Sequence, residues 1–252
     1  MASRARVLSY SAWSLVFLCL LVPFARGQVA GTSGIKTVIL KHVMRLDAIE
    51  VMKVLEAGTE SSRGDPSEED LRWFRHPALP SPPPGGRQFR VAYKFQAGDE
   101  WLKNLSLVVR NRTSKNIVFL LINLRFPEAG PATGTQGGIS SEVRFGQIPS
   151  NAAYTASGER LALPPQKPLQ LAPGQEATFP LADRAADIRA GIEQSLSFSS
   201  ISMCAIHFLV YFEDGMQWNA GGYFIPDPSQ PGKMTPSELQ YFPGPLMGPP
   251  AP

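Results

Sequence analysis

The stretch Ile201-Ser-Met-Cys-Ala-Ile-His-Phe-Leu-Val-Tyr-Phe212 is the longest segment of the chain with the composition of a β-strand. Its residues Ile206, Phe208, Val210 and Phe212 recur at every second position, so they share one face of an extended chain. Such spacing is typical of a strand that buries one face in a core. The stretch therefore predicts a long strand, and the neighbouring segments supply its partners.

Two pairs of strand patterns are separated by turn residues. Glu213–Met216 places Asp-Gly where a tight hairpin needs a positive φ, and Met216–Ile225 returns as the partner strand. Upstream, Leu105–Val109 and the almost wholly apolar Ile117–Phe126 flank a polar turn. This arrangement predicts a second antiparallel hairpin, with its second strand in the middle of a sheet.

Further strands are predicted from shorter patterns, and helices from capping residues. The strand patterns are Ile35–Leu55 (read as strands in preference to a helix), Gln88–Phe95, Glu142–Phe145, Leu169–Leu171 and Glu176–Leu181. Asp183 is predicted to cap a helix in which Ile188, Ile192 and Leu196 share one face, and Ser67 to cap a shorter helix. At least six strands with no β–α alternation predict an all-β fold with one or two short helices, an antiparallel β-sandwich.

Composition divides the chain into five parts. Residues 57–88 are polar and contain Pro77–Pro84, a run that favours polyproline II and indicates a stiff surface spacer or a ligand for an aromatic groove. The predicted parts are a signal peptide (1–27), an N-terminal strand segment (28–56), a Pro-rich insertion (57–88), the sandwich core (89–228) and a Pro-rich tail (229–252).

The first 27 residues have the three parts of a secretory signal. Arg4 and Arg6 precede an apolar core that is densest at Leu15–Val22, and Ala25 and Gly27 are small enough for a signal peptidase pocket. The alternative is a membrane anchor, but a stable span needs about 20 predominantly apolar residues. We therefore expect cleavage after Gly27, no stable membrane span afterwards, and a secreted or periplasmic location.

Removal of the signal changes the charge and the cysteine content. The chain has 24 basic and 21 acidic residues, a formal charge of +3. Arg4, Arg6 and Arg26 leave with the signal, which holds no acid, so 21 basic and 21 acidic residues remain and the net charge is zero. Nucleic-acid binding is disfavoured, because phosphate neutralisation needs a local surplus of Lys and Arg.

After removal of the signal, Cys204 is the single cysteine, which excludes an internal disulfide. Its apolar neighbours in the sequence predict a buried thiol.

A series of short motifs resembles a group of exported bacterial proteins of unknown function. In chain order the motifs are Asp99–Leu102, Leu105–Asn111, Thr113–Ile117, Leu124–Pro127, Leu171–Gly174 and Phe212–Trp218. The resemblance covers roughly residues 90–228 and implies an immunoglobulin-like sandwich in a bacterial cell envelope. It implies no catalytic or ligand-binding residue, because the motifs are structural.

No catalytic, metal or cofactor site is predicted. None of His42, His76 and His207 has a second histidine or a cysteine at ligand spacing, and no nucleophile motif or phosphate-binding loop occurs. Asn104 and Asn111 begin glycosylation patterns, but Asn111 is better placed to bond the backbone of the turn beside it. We therefore expect a protein that is not an enzyme and that holds no cofactor.

Aromatic residues are the candidates for a partner-binding surface. Trp101 and Trp218 flank predicted strands, so we assign them to the core. Trp73 lies in the polar insertion and Tyr223 in a return strand, and these two are the predicted partner-binding residues. Either a protein or a glycan would suit such a surface.

The predicted function is that of an exported, non-enzymatic module that binds a protein or glycan partner or supports an assembly. An exposed sheet edge would offer strand addition to a protein partner. The alternative is a carbohydrate-active hydrolase that uses the paired carboxylates Asp99–Glu100 or Glu213–Asp214. That alternative requires two carboxyl groups about 5–10 Å apart in a concave groove.

The signal interpretation predicts the N-terminus of the exported protein. When the full chain is expressed in a bacterial host, the protein outside the cytoplasm should begin at Gln28, as measured by intact mass. Gly27→Trp should block cleavage, because a large side chain does not fit the peptidase pocket, whereas Ser9→Ala in the apolar core should not. Exported wild-type protein that still carries residues 1–27 would contradict the prediction.

Overall fold

A computed structural model gives the fold. It describes residues 34–41, 48–68, 70, 90–129, 138–155, 157–162, 166–194, 196–219 and 222–237. These residues are mostly β, with two sheets around one hydrophobic core, which confirms the predicted all-β class. None of the helices in them is long and apolar enough to cross a membrane. The predicted signal peptide and the Pro77–Pro84 run lie outside the described residues.

Strands and helices are numbered here in chain order. The strands are β1 (Gly34–Lys41), β2 (Ile49–Glu56), β3 (Thr59–Glu60), β4 (Ser62–Gly64), β5 (Arg90–Ala97), β6 (Leu105–Asn111), β7 (Ile117–Phe126), β8 (Ile139–Gly146), β9 (Glu176–Pro180), β10 (Met203–Phe212), β11 (Gln217–Asn219), β12 (Gly222–Pro226) and β13 (Met234–Pro236). The helices are α1 (Trp101–Asn104) and α2 (Ala182–Glu193), with single 3-10 turns at Pro127–Ala129 and Phe198–Ser200. Strands β2, β3, β6 and β9 form the smaller sheet, and the other strands form the larger one.

Strand β10, which contains the longest strand pattern, lies in the middle of the larger sheet. It pairs antiparallel with β7 on one side. On the other side it pairs parallel with β1 over Met203–Ile206 and antiparallel with β11 over Leu209–Tyr211. The parallel pair corrects the prediction of a purely antiparallel sandwich. Strands β1 and β10 are far apart in the sequence, so no tight turn fixes their relative direction.

Strands β6 and β7 do not form the predicted hairpin. Strand β6 pairs with β2 and β9 in the smaller sheet, whereas β7 pairs with β10 and β8 in the larger one. Residues 112–116 therefore carry the chain from one sheet to the other. The prediction was wrong because each strand shows one apolar face, and that pattern is the same whether successive strands pair or face each other across a core.

This crossing is fixed by Asn111, whose side chain is fully buried. Its Nδ2 donates to Lys115 O (2.7 Å) and Leu171 O (2.8 Å). Its Oδ1 accepts from Thr113 N (2.9 Å) and Thr113 Oγ1 (2.8 Å), so both donors and both acceptor positions of the amide are used. The predicted bonding of Asn111 to the adjacent turn is confirmed, and the bond to Leu171 ties in a second loop.

Aromatic rings fill one end of the core. Trp101 is 1% exposed and stacks on Phe198 at 6.1 Å, with Phe126 edge-on at 6.4 Å. Trp218 is 2% exposed, so the assignment of both tryptophans to the core is confirmed.

Cys204 is also buried, as predicted. Burial raises the pKa of its thiol far above the usual range.

The helix predicted after Asp183 is present, with a change in capping. Ile188 and Ile192 are buried on α2, as expected, but Leu196 lies beyond the last helical residue and is exposed. Asp183 does not cap this helix, because Leu181 is the N-cap residue and its N–H still donates to Leu105 O (3.0 Å) as an extension of the sheet. Ser67 does cap its helical turn: its Oγ accepts from the N–H of Asp70 at 3.2 Å.

Two predicted boundaries shift. Strands β3 and β4 lie within the predicted insertion 57–88, and β4 pairs with β5 in the larger sheet. Strand β13 lies within the predicted tail 229–252 and pairs with β12. These strands are two or three residues long, which is too short for a repeat to be visible in the sequence.

The buried amide of Asn111 gives a stability prediction. Asn111→Ala should lower the free energy of unfolding by about 2–4 kcal/mol. The buried Thr113 N–H loses its partner, and the carbonyls of Lys115 and Leu171 each lose one of two hydrogen bonds. Asn104→Ala is the matched control, since Asn104 is exposed and makes a single 3.4 Å contact with Glu56, and it should change stability by no more than about 0.5 kcal/mol. Urea unfolding measures both, and equal effects would contradict the assignment.

Candidate functional site

A cleft of about 620 Å³ lies at one end of the larger sheet, and we call it the β8 cleft. It is bounded by Val118 and Phe119 of β7, by Arg144 and Gly146 of β8, and by the loops that follow β8. Ligand sites in proteins are usually clefts of about 300–1,000 Å³. The β8 cleft is therefore the candidate functional site.

The cleft opens where β8 ends at Gly146. This residue has a φ of +82°, in the left-handed region that favours glycine. A Cβ atom here would lie 2.6 Å from Leu169 Cβ and closer still to the carbonyl oxygen of Val118. Glycine at position 146 therefore allows β8 to end in a turn that packs closely against Val118. The loop begins at Gln147, whose N–H donates to Val118 O at 3.2 Å.

Gln166 holds the next part of the loop against the end of β8. In the amide orientation that satisfies its surroundings, its side-chain nitrogen donates to Arg144 O and Gly146 O, each at 3.2 Å. The side-chain nitrogen of Gln147 donates in turn to the backbone oxygen of Gln166 at 3.0 Å. The rim of the cleft on this side is therefore tied to the sheet by side-chain amides.

The β10–β11 turn contributes Glu213 to the lining of the cleft. Its Asp214 forms an ion pair with Lys115, and the Nδ2 of Asn151 donates to Asp214 O at 2.9 Å. Gly215 has a φ of +87°, as the Asp-Gly turn predicted, and a Cβ there would lie 2.5 Å from the Asn151 side chain. These contacts hold the turn, the β6–β7 crossing and the loop at 150–152 together.

The charges that line the cleft are two arginines and one glutamate. Arg144 pairs with Glu142 at 2.6 Å, and Glu213 accepts a hydrogen bond from Asn116 Nδ2 at 2.9 Å. Arg160 forms no ion pair with any described residue. Its side chain is exposed. Glu213 accepts from a neutral amide, so Arg160 and Glu213 are the two charged residues of the cleft that form no ion pair with a described residue, one of each sign.

The candidate catalytic carboxylates lie in different surroundings. Glu213 is the only aspartate or glutamate among the described residues that line the cleft. Glu100 pairs with Arg189 at 2.6 Å outside it. Asp99 lies near the buried ammonium of Lys36, whose pKa is lowered by burial, an effect that the charges of Asp99 and Glu128 oppose.

The two predicted partner-binding aromatics are not brought together in the cleft. Tyr223 is only 8% exposed and stacks on Phe212 at 6.3 Å, because β12 places its ring over the core. Its ring therefore offers little area to a partner. Trp73 lies outside the described residues.

Sequence reasoning missed Arg144, Arg160 and Gln166 as site residues. Arg144 lay in a predicted strand and the other two in a predicted loop, and no spacing connected them. Their proximity depends on the loop folding back along β8, which no local pattern encodes. Among the described residues, no group of three His, Cys, Asp or Glu side chains is placed to hold a metal ion.

Comparisons of the chain with known protein families, curated proteins and solved structures found no match. The resemblance to exported bacterial proteins therefore stays a prediction. The site must be interpreted from its own geometry.

The turn at Gly146 gives a prediction about the wall of the cleft. Gly146→Ala should lower the free energy of unfolding by about 1 kcal/mol from the positive φ and by a further ~2 kcal/mol from the clash with Val118 O. Gly174→Ala is the control, because Gly174 has a φ of +74° with open space around its Cβ position, so only the first cost applies. Thermal unfolding compares the two, and a loss for Gly146→Ala no larger than for Gly174→Ala would refute the steric argument.

Proposed function

We propose that this protein is an exported, non-enzymatic module, an immunoglobulin-like β-sandwich of the cell envelope or extracellular space, that binds a protein or glycan partner through the β8 cleft. The signal pattern in residues 1–27 supports export. A single buried cysteine and a core built from two sheets fit a domain that stays folded without a disulfide.

The observation that carries the proposal is a cleft of ligand size with the exposed guanidinium of Arg160, which forms no ion pair with a described residue. The cleft is fixed by a glycine turn at Gly146, by the Gln166 amide and by the Lys115–Asp214 ion pair. A preformed cleft loses little conformational freedom on binding, so more of its contact energy appears as affinity. This geometry supports recognition of a partner.

The hydrolase alternative has less support. Paired-carboxylate hydrolysis needs two carboxyl groups about 5–10 Å apart across a groove. In the described lining of the β8 cleft, Glu213 is a single carboxylate whose oxygen accepts from Asn116. A hydrolysis assay on polysaccharides with the wild type and Glu213→Gln tests this alternative directly.

Site-specific photo-crosslinking in cells tests the proposed function. A photo-reactive phenylalanine analogue is placed at Leu161, which lines the cleft, or at Lys103, an exposed residue of α1 outside its lining. We expect a defined adduct from position 161 in the envelope or medium, and a yield lower by about tenfold with Arg160→Glu, the effect of losing ~1.4 kcal/mol of binding energy.

The control is charge reversal at Lys103→Glu, which changes the net charge by the same amount and should leave the adduct at position 161 unchanged. The proposal fails if positions 161 and 103 give the same adducts. It also fails if neither position gives an adduct in any growth condition while the protein is exported and folded.

A further inference from the structure

The positions of the hydrogen-bonded pairs between β7 and β8 show which backbone groups of β8 face away from β7. The N–H of Gln147 donates to Val118 O, so this pair, one step beyond the end of β8, is a hydrogen-bonded pair. Hydrogen-bonded pairs alternate with non-bonded pairs along an antiparallel ladder. The outward-facing N–H and C=O groups therefore belong to Ser140, Glu142, Arg144 and Gly146.

The contacts of Gln166 agree with this assignment of the outward-facing groups. Its side-chain amide reaches Arg144 O and Gly146 O, two of the four residues whose groups face outward. Among the described strands, β7 alone pairs with β8. No described strand therefore pairs with the outer edge at Ser140 and Glu142, and Gln166 occupies the edge beyond that point.

The edge at Ser140 and Glu142 lies beside the β8 cleft, with the Gln166 amide between them. Each strand residue advances the chain by about 3.3 Å, so the distance along β8 from Glu142 to Arg144 is only ~7 Å. Arg144 lines the cleft, and so does Arg160, whose positive charge forms no ion pair with a described residue. A segment that pairs with the edge at Glu142 would reach the cleft within a few residues.

The lining favours a polypeptide over a sugar. Sugar sites commonly present the open face of an aromatic ring to the apolar side of the sugar. The one aromatic residue that lines the described cleft is Phe119, which is 3% exposed and is packed against Tyr211 at 5.8 Å. Backbone groups at an open edge are instead suited to the main chain of a peptide, with an adjacent pocket to select its side chains.

We propose that the partner is a polypeptide that adds an extended segment to the edge of β8 at Ser140 and Glu142 and places a carboxylate at Arg160 in the β8 cleft. This inference rests on the proposed function and names the class of partner. Pairing with the main chain supplies affinity, and the charge-assisted bond to the guanidinium supplies the preference for an acidic group.

Fluorescence anisotropy of the mature protein with synthetic peptides tests the inference. The probes are seven-residue peptides of alternating threonine and valine that end in two glutamates or in two glutamines. We expect the acidic peptide to bind about tenfold more tightly than the neutral one, and the difference to shrink as salt rises. Arg160→Glu should abolish the difference, and the matched charge reversal Lys103→Glu should retain it.

N-methylation of the peptides tests strand addition without changing the protein. Methyl groups on alternate peptide nitrogens remove every second donor, so one of the two methylated registers should lose about tenfold in affinity and the other should keep it. Ser140→Pro is the complementary variant, because the N–H at this position faces away from β7, is not used within the sheet, and belongs to a residue that takes no part in the Arg144–Glu142 ion pair. It should weaken binding of the acidic peptide while leaving the thermal unfolding temperature of the protein near that of the wild type.

An acidic oligosaccharide, oligogalacturonate, separates failure of this inference from failure of the proposed function. Binding of oligogalacturonate that depends on Arg160, with no binding of the peptides, would overturn the peptide inference and leave the cleft as a partner site. Peptide binding that is unaffected by Arg160→Glu or by both methylation registers would also overturn it. Absence of binding by either probe, together with absence of a crosslink at Leu161, would overturn both.

Discussion

The passage of the chain from one sheet to the other at Asn111 is the constraint on which the rest of the structure depends. A polar turn that enters a core must satisfy its backbone groups, since each unpaired buried group costs about 1–3 kcal/mol. The Asn111 amide does this by bonding Lys115 and Leu171, and Thr113 bonds the amide in return. Strand β6 is thereby committed to the smaller sheet and β7 to the larger one.

The position of β7 then determines the site. Because β7 pairs with β10 on one side, its other side is available to β8, which pairs with no other described strand. The chain leaves β8 at Gly146, the one point at which its approach to Val118 leaves no room for a side chain. The cleft therefore results from three connected facts: the crossing, the pairing of β7 and the glycine turn.

The net charge and the local ion pairs together decide how this protein could select an acidic partner. The chain left after the predicted cleavage has equal numbers of basic and acidic residues, so no long-range field directs it to an anionic partner. Many described charges are paired locally, as Arg144 is with Glu142 and Lys115 with Asp214. Specificity for an acidic group would then rest on a single guanidinium, Arg160, in a defined place.

The amino-acid sequence by itself determined the all-β class, the β10–β11 turn at Asp214-Gly215, the buried face of β10 and the inward placement of Trp101 and Trp218. These features depend on residues that are close in the chain, whose two-residue repeat and turn preferences are local properties. The tertiary structure alone decided that β6 and β7 lie in different sheets, that β1 runs parallel to β10, and that Arg160 and Gln166 meet the end of β8. An alternating apolar pattern states which face of a strand is buried but not which strand lies beside it, because side-by-side and face-to-face neighbours bury the same residues.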